Sequence, residues 1–428
     1  MALGSFLAAA FRMLAISFFS LFLSVILIQL SSGGIGPLDV LSGLQSGFTN
    51  LEIGLLGSSH FVGFFVGCWW GPRLIGVIGH SRAFAVFAAA GTIGILAHML
   101  WVDPYVWSAM RILSGMCIAG CFTVLEAWLQ AKTDNATRGR TVGYYRLVDL
   151  LGGLFSQLLI AVLEPATYMA YNILAIICCA SLLPLALTRI SQPPTTAELR
   201  LRPRLGLQIS PMASAGVVIA GITVASFRMV GPVYGQAVGL TSTQIGLFLA
   251  LFILGGALAQ FPAGLFADRF DRRKVMFAFS AVSIGASLLV IQLAETSTAG
   301  LLAGAVIFGA ATFPIYSIAA AHANDHVPAN RMVELNASLL FYFAIGAIIS
   351  PLLVSLLIAG FGASSMFVFI AVAHALLCIY GLVRMTKRRV TIRKPFRYMP
   401  RTSFVFTRLF KRKSDRDPTR DDNRNKDR

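Results

Sequence analysis

Charged residues are scarce in this sequence. Asp, Glu, Lys and Arg make up 12% of the 428 residues, whereas 57% are apolar. Soluble proteins carry about 25% charged residues. So little charge cannot cover a folded chain of this size in water, which excludes a soluble enzyme, a nucleic-acid-binding protein and a disordered protein. The composition predicts a chain whose solvent is mostly lipid.

The sequence also lacks the motifs that carry out catalysis or bind metals. It holds no nucleophile–histidine–acid set, Walker loop or metal-ligand cluster, so we predict no enzyme, no cofactor and no ATP hydrolysis by this chain. The six cysteines lie in apolar runs and predict packing residues rather than a disulfide framework. Cys117 and Cys121 lie one helical turn apart, but two thiols are too few ligands for a metal site.

Apolar runs long enough to cross a membrane recur along the whole chain. Each is close to the ~20 residues that a hydrocarbon core of about 30 Å requires, and in lipid such a run must form a helix. The predicted spans are 13–36, 51–72, 83–101, 105–130, 143–163, 169–188, 211–235, 243–265, 274–294, 299–320, 335–358 and 364–384. The predicted fold class is an all-α membrane protein with twelve transmembrane helices.

The basic residues are placed unevenly in this chain, whose formal net charge is +17. The segment 384–428 holds 17 Lys/Arg against 5 Asp/Glu. Of the 18 Lys/Arg before it, 16 fall on one side of the membrane if the N-terminus is cytoplasmic. The positive-inside rule therefore supports twelve helices with both termini in the cytoplasm. We expect the basic tail to contact anionic lipid headgroups rather than nucleic acid.

A linker rich in proline and arginine divides the chain into two halves. The predicted parts are an N-terminal six-helix bundle (1–189), a cytoplasmic linker (190–210), a C-terminal six-helix bundle (211–386) and a basic cytoplasmic tail (387–428). Residues 122–140 align with residues 313–331 without a gap, and this alignment pairs Phe122 with Phe313. The repeat indicates two parallel halves with a solute site near the midplane between them.

The loop between the eighth and ninth predicted helices carries interleaved charges of both signs. Its arginines can bond carboxylates and the exposed carbonyl groups at helix C-termini, which would latch two helices in one conformation and release them in another. An ordinary cytoplasmic loop needs basic residues only, so the two aspartates favour the latch. The predicted latch residues are Gly264, Asp268, Arg269, Asp271, Arg272 and Arg273.

The pattern Gly-x-x-x-Asp-Arg-x-x-Arg-Arg at this place resembles the signature loop of the major facilitator superfamily. The copy expected after the second helix, within 71–82, keeps glycines and arginines but lacks the aspartate. The segments 125–129 and 321–325 further resemble a bacterial subgroup of YcaD-like transporters. The resemblance covers about residues 10–386. It implies a monomeric permease of the bacterial cytoplasmic (inner) membrane that carries a small organic solute by alternating access.

Polar residues inside the predicted spans are candidates to line a solute path, because burying charge in lipid costs about 2.5–3.5 kcal/mol per residue. The candidates are Arg111, Glu126, Gln157 and Arg228. If both arginines face the cavity, they favour an anionic solute group. The alternative is that each snorkels or pairs at the outer interface.

Proton coupling is a further expectation. Arg146 and Asp149 lie three residues apart on one helix, where they form either a local ion pair or a proton-exchange site. His60 and His98 lie within or near predicted spans, but each more readily satisfies a local carbonyl group. The first predicted helix has no carboxylate, and Gln29 is its main polar group.

Two classes of function remain open at this point. The favoured one is secondary or facilitative transport of a small organic solute. The alternative is a ligand-binding membrane sensor or scaffold of the same fold that signals through its basic tail. A membrane-embedded enzyme is a distant third, because no catalytic set is present.

Overall fold

The computed structural model describes residues 2–131, 133, 138–187, 202–328 and 331–385, and these residues are almost entirely helical. The predicted tail (387–428) and most of the predicted linker lie outside the described residues. The helices are α1 (Ala2–Gln45), α2 (Asn50–Ile78), α3 (His80–Ala97), α4 (Pro104–Ala131), α5 (Arg138–Ile160), α6 (Tyr168–Ala180), α7 (Leu182–Ala186), α8 (Arg204–Ile209), α9 (Pro211–Ala237), α10 (Ser242–Arg269), α11 (Arg272–Thr296), α12 (Thr298–Thr312), α13 (Ile315–Asn324), α14 (Met332–Phe361) and α15 (Ser365–Met385).

The predicted all-α membrane fold is confirmed. Within the described ranges, eleven spans are long and apolar enough to cross a membrane, with α6 and α7 forming one span and α12 and α13 another. Helix α5 has 23 residues and lies between two of these spans, but Arg146 and Asp149 make it more polar than the rest. With α5 included, the number of membrane-spanning helices in the described ranges is the predicted twelve.

The first helix is longer than the sequence predicts. Helix α1 continues to Gln45, past the predicted end at residue 36, because the Ser-Ser-Gly-Gly segment and Pro37 stay helical. Membrane helices tolerate such residues where neighbouring helices pack closely against them. Asp39 is therefore a buried residue of α1, with 1% of its surface exposed, and not part of an outer loop. The expectation that helix 1 has no carboxylate is wrong.

The sequence repeat has a counterpart in the packing of the helices. A Cβ on Gly63 of α2 would overlap the backbone of α4, and one on Gly115 of α4 would overlap the backbone of α2. In the second half, Gly255 of α10 and Gly309 of α12 make the same reciprocal contact. Glycine at both sides of each crossing lets the two backbones touch. We call these two crossings the glycine clasps.

The two ends of the bundle differ in charge. The arginine-poor end carries the connections 46–49, 98–103, 161–167, 238–241 and 362–364, which contain no Lys or Arg. The opposite end, which we call the arginine-rich end, carries the loop between α10 and α11 and the chain between α7 and α8. The charge pattern that predicts the topology is therefore a property of two opposite ends of the folded bundle.

The halves contact each other closely at the arginine-poor end. A Cβ on Gly54 of α2 would lie 2.9 Å from the carbonyl oxygen of Pro351 in α14. On the other side of the interface, the Thr243 hydroxyl of α10 donates a 3.0 Å hydrogen bond to the Ala161 carbonyl just after α5. The first and second halves thus contact each other closely where α2 and α10 begin.

Candidate functional site

Arg111 forms a buried ion pair inside the first half. Its Nε lies 3.5 Å from Oδ2 of Asp39, and each residue exposes 1% of its surface. The pair joins α4 to the unexpected extension of α1. Because both charges are taken out of solvent, removing either residue would leave the other buried without a counter-charge.

Two more side chains complete what we call the Asp39 cluster: Asp39, His98, Arg111 and Tyr171. The Tyr171 hydroxyl donates to Oδ1 of Asp39 over 3.0 Å, and Nε2 of His98 lies 3.4 Å from Oδ2. Nδ1 of His98 is 2.7 Å from the carbonyl oxygen of Gly94, which only accepts, so Nδ1 carries a proton. Nε2 of His98 can therefore form a hydrogen bond with Oδ2 of Asp39 only when a further proton lies between these two atoms.

The guanidinium of Arg111 also faces the second half. Its Nη2 lies 3.6 Å from the sulfur of Met229 in α9. Arg228, the neighbour of Met229 in the chain, is partly buried in α9. Two of the four predicted path residues therefore lie together near the interface between the halves.

Glu126 lies in a separate cluster nearer the arginine-rich end. It is fully buried and accepts a 3.1 Å hydrogen bond from Tyr145. Arg146 lies 3.9 Å from Glu126 and donates to Asp149 over 3.0 Å, so the expected local ion pair is present and extended. Gln29 of α1 donates to the other oxygen of Asp149. Two carboxylates thus share one arginine here.

Gln157 is committed to packing within the first half. Its Nε2 donates to the Gly33 carbonyl and to the Ser156 hydroxyl, each over 3.0 Å, and the residue is 3% exposed. A Cβ on Gly246 of the second half would lie 2.7 Å from the backbone carbonyl oxygen of Gln157. The amide joins α5 to α1, and its predicted contact with a solute stays a prediction.

The predicted latch residues lie together, but the buried partner at their centre is one that the sequence did not single out. Arg272 is 4% exposed, and its Nη1 lies 3.0 Å from Oδ1 of Asp325 at the end of α13. Its Nη2 is 3.7 Å from Asp268, which is 42% exposed, and its Nε donates to the Ala267 carbonyl. Arg272 thus ties the ends of α10, α11 and α13. The signal in the sequence was Asp325 itself, within the repeated segment 313–331.

Asp271 and Arg273 hold the start of α11. The Asp271 carboxylate accepts the backbone N–H of Arg273 at the N-cap and pairs with its guanidinium over 2.9 Å. Partial burial raises the pKa of Asp271, but the hydrogen bonds and the charge of Arg273 outweigh burial and bring the pKa below its ordinary value. Gly264 is buried one turn before Asp268, and Arg269 is exposed.

The second half matches a family model, and most of the chain has similar relatives. The model of the Major Facilitator Superfamily matches residues 213–414. The "Uncharacterized MFS-type transporter YcaD" of Salmonella paratyphi A is 27% identical over 352 residues, which are 81% of this chain and 90% of that protein. Its namesake in Salmonella arizonae is 27% identical over 332 residues, 76% of this chain and 85% of that protein. The chain is therefore similar to the major facilitator superfamily over its second half, and to proteins named as transporters of that superfamily over most of its length.

Solved structures of several transporters have the same fold. The nucleoside transporter NupG has a TM-score of 0.70 and 16% identity over 87% of this chain and 99% of that one. A bacterial homolog of the human lysosomal transporter Spinster, inward-facing and unoccupied, has a TM-score of 0.72 and 13% identity over 89% and 99%. The D-xylose-proton symporter has a TM-score of 0.66 and 12% identity over 90% and 98%. Family and structural neighbours support membrane transport as the function.

Proposed function

We propose that this chain is a secondary or facilitative transporter that carries a small organic solute by alternating access. The six-helix halves at 1–189 and 211–386 would rock about a central site, joined by the linker at 190–210. The arginine-rich end and both termini would lie in the cytoplasm, with the transporter in the bacterial inner membrane as a monomer.

The packing of the two halves carries this proposal. Each half contains a glycine clasp that ties two of its helices backbone to backbone, at Gly63 with Gly115 and at Gly255 with Gly309. The halves meet closely at the arginine-poor end, where Gly54 abuts Pro351. Rigid halves that pack against each other at one end favour rocking, because the halves move as bodies while the clasps stay intact.

The predicted latch supplies the switch in this scheme. Arg272 links α10, α11 and α13 through Asp268, Ala267 and Asp325, so a movement of one helix end changes the contacts of the others. We expect its neighbours Gly264, Arg269, Asp271 and Arg273 to set the position of this loop. Asp268 is the exposed partner of Arg272, and in this scheme it exchanges partners between conformations.

Proton coupling is part of the proposal, and the Asp39 cluster supports it best. One proton between Oδ2 of Asp39 and Nε2 of His98 would decide whether Arg111 has a charged partner. The charged and titratable groups that meet there are Asp39, His98, Arg111 and Tyr171. Glu126 and Asp149, which share Arg146, are a second place for a proton. Facilitated transport without protons is the alternative that the experiment below separates.

The test is solute flux in proteoliposomes made with the purified full-length chain. The panel holds sugars including D-xylose, nucleosides, amino acids, organic acids and amphiphilic drugs, each with and without a pH gradient. We expect flux of one class, and Asp268→Asn should lower it while the amount of folded protein is unchanged. Glu295→Gln changes an exposed carboxylate at the end of α11 toward the arginine-poor end and is the matched control.

Each result bears on a different part of the proposal. Flux that responds to the pH gradient supports proton coupling, whereas flux that ignores it supports facilitation. Flux in Asp268→Asn equal to the wild type contradicts the latch. No flux of any solute contradicts transport. The sensor alternative depends on the tail at 387–428, which lies outside the described residues, and no observation on the described residues favours it.

A further inference from the structure

Arg111 has more hydrogen-bond donors than the surrounding protein uses. A guanidinium carries five N–H donors, and this one is 1% exposed. Within the described residues, its Nε and Nη1 have no hydrogen-bond partner, and Nη2 has only the weak acceptor sulfur of Met229 at 3.6 Å. Buried polar groups nearly always have partners, so such a set indicates a place that an acceptor-bearing ligand occupies.

Asp39 balances the charge of Arg111 but does not satisfy these donors. Its Oδ2 lies 3.5 Å from Nε, which is longer than an ordinary charged hydrogen bond. The same oxygen lies 3.4 Å from His98, and Oδ1 accepts from Tyr171. The carboxylate is thus held on the side of α3 and α6, away from Nη1.

Polar groups from both halves converge beside this guanidinium. Nδ1 of His60 in α2 is buried and has no hydrogen-bond partner within the described residues. Arg228 of α9 directly precedes Met229, whose side chain packs against Gly57, one turn before His60 on α2.

We propose that Arg111, His60 and Arg228 form a binding site for the oxyanion group of the transported solute. The substrates would therefore be organic anions. A carboxylate fits Nη1 of Arg111 and its neighbouring donors as a planar, two-oxygen acceptor. The inference rests on the proposed function and names the class of solute for that function.

Met229 explains how the site would open. Its sulfur covers Nη2 of Arg111, and its side chain packs against Gly36 of α1 and Gly57 of α2. Met229 belongs to the second half and the other three residues to the first. Separation of the halves at the arginine-poor end would draw this flexible side chain away from the guanidinium and expose its donors.

Matched pairs of small molecules test the charge requirement directly. Full-length protein in lipid nanodiscs is heated with benzoate or benzamide, lactate or lactamide, and inorganic phosphate, at constant ionic strength. We expect at least one anion to raise the Tm and its neutral amide to leave the Tm unchanged. Carboxylates and phosphate are separate arms, so the result tells which oxyanion the site takes.

Variants then locate the effect. Asp39→Asn with Arg111→Gln removes both charges of the pair and avoids an unpaired Asp39. We expect it to weaken anion binding at least about tenfold, the loss of one charge-assisted hydrogen bond or more. His60→Gln and Arg228→Gln should each weaken binding as well, and they provide the test if the double variant does not fold. Arg204→Gln, an exposed arginine in α8, is the control and should bind as the wild type does.

Several results would overturn the site. One is a Tm that anion and amide change equally, or that neither changes. Another is wild-type anion binding in the double variant, or in both His60→Gln and Arg228→Gln. Flux of a neutral solute that the double variant leaves unchanged overturns the anion site and leaves transport standing. Anion binding that the variants abolish, in a protein that moves no solute, upholds the site and contradicts transport.

Discussion

Removing the charge of Asp39 should destabilise the protein far more than removing the hydrogen bond that Asp39 accepts. Asp39→Asn leaves Arg111 buried at 1% exposure without a counter-charge. Breaking one side of a buried ion pair costs about 3–5 kcal/mol. Tyr171→Phe removes only a 3.0 Å hydrogen bond to Asp39, and such bonds in membrane proteins are worth about 0.6 kcal/mol and at most about 1.7. The two variants should therefore differ severalfold in their loss of unfolding free energy.

The double variant Asp39→Asn with Arg111→Met tests the ion pair more directly than either single variant does. Both charges are gone, so the penalty for an unpaired buried charge disappears, and the double variant should be more stable than Asp39→Asn alone. The free energy of unfolding can be followed by titrating mixed micelles with SDS at fixed pH and recording tryptophan fluorescence. Trp107 reports locally, because its ring centroid lies 5.3 Å from that of His98.

Two outcomes would refute this reasoning. If Asp39→Asn costs no more than Tyr171→Phe, then Arg111 does not depend on the carboxylate for its charge balance. If the double variant loses the sum of the two single losses, then Asp39 and Arg111 act independently and do not form a pair. The sign of the coupling decides between these views without reference to transport.

The remaining predictions concern packing and the latch. Gly115→Leu should lower the unfolding free energy by about 1–3 kcal/mol or more, because the leucine side chain would overlap α2. Gly76→Leu is the control and should not lower it, because open space surrounds Gly76. Unfolding by SDS measures both variants. Arg272→Gln should lower transport and thermal stability together, since Asp325 is then buried without its partner, and a wild-type Tm would contradict this. Asp271→Asn should lower stability at neutral pH, where the carboxylate is charged, and the difference from the wild type should vanish as the pH falls below about 3.9 and through the lower folded pKa; a pH series of Tm values checks this.

The fold could be predicted from the sequence because two independent signals agree. Apolar runs give the number of helices, and one missed helix would invert the charge of every later loop. Prediction failed where contacts between residues that are distant in the sequence determine the local structure. Gly33 and Pro37 indicate a helix end in isolation, yet α1 continues through them because α5 packs against the helix there. Asp39 consequently moved from an expected loop to the centre of a buried cluster.

The site could be predicted only in part. Charges in the spans identified Arg111, Arg228 and Arg146, because charge in lipid needs a reason to persist. Their partners come from distant parts of the chain, as with Asp39 for Arg111, and no local pattern reveals such pairs. Asp325 for Arg272 is the same case, since 53 residues separate two side chains that touch.

The glycine clasps have a mechanical consequence. At each crossing, the glycine positions place no side chain between the two backbones. A displacement of one helix is therefore transmitted directly to the other. Helices α4 and α10 have 28 residues each. A helix of that length is a rod of about 42 Å, and a tilt of roughly 10° displaces its far end by about 7 Å. Each half would therefore act as a stiff lever, and a shift of a few ångströms beside Arg111 would become an opening wide enough for a solute at the opposite end.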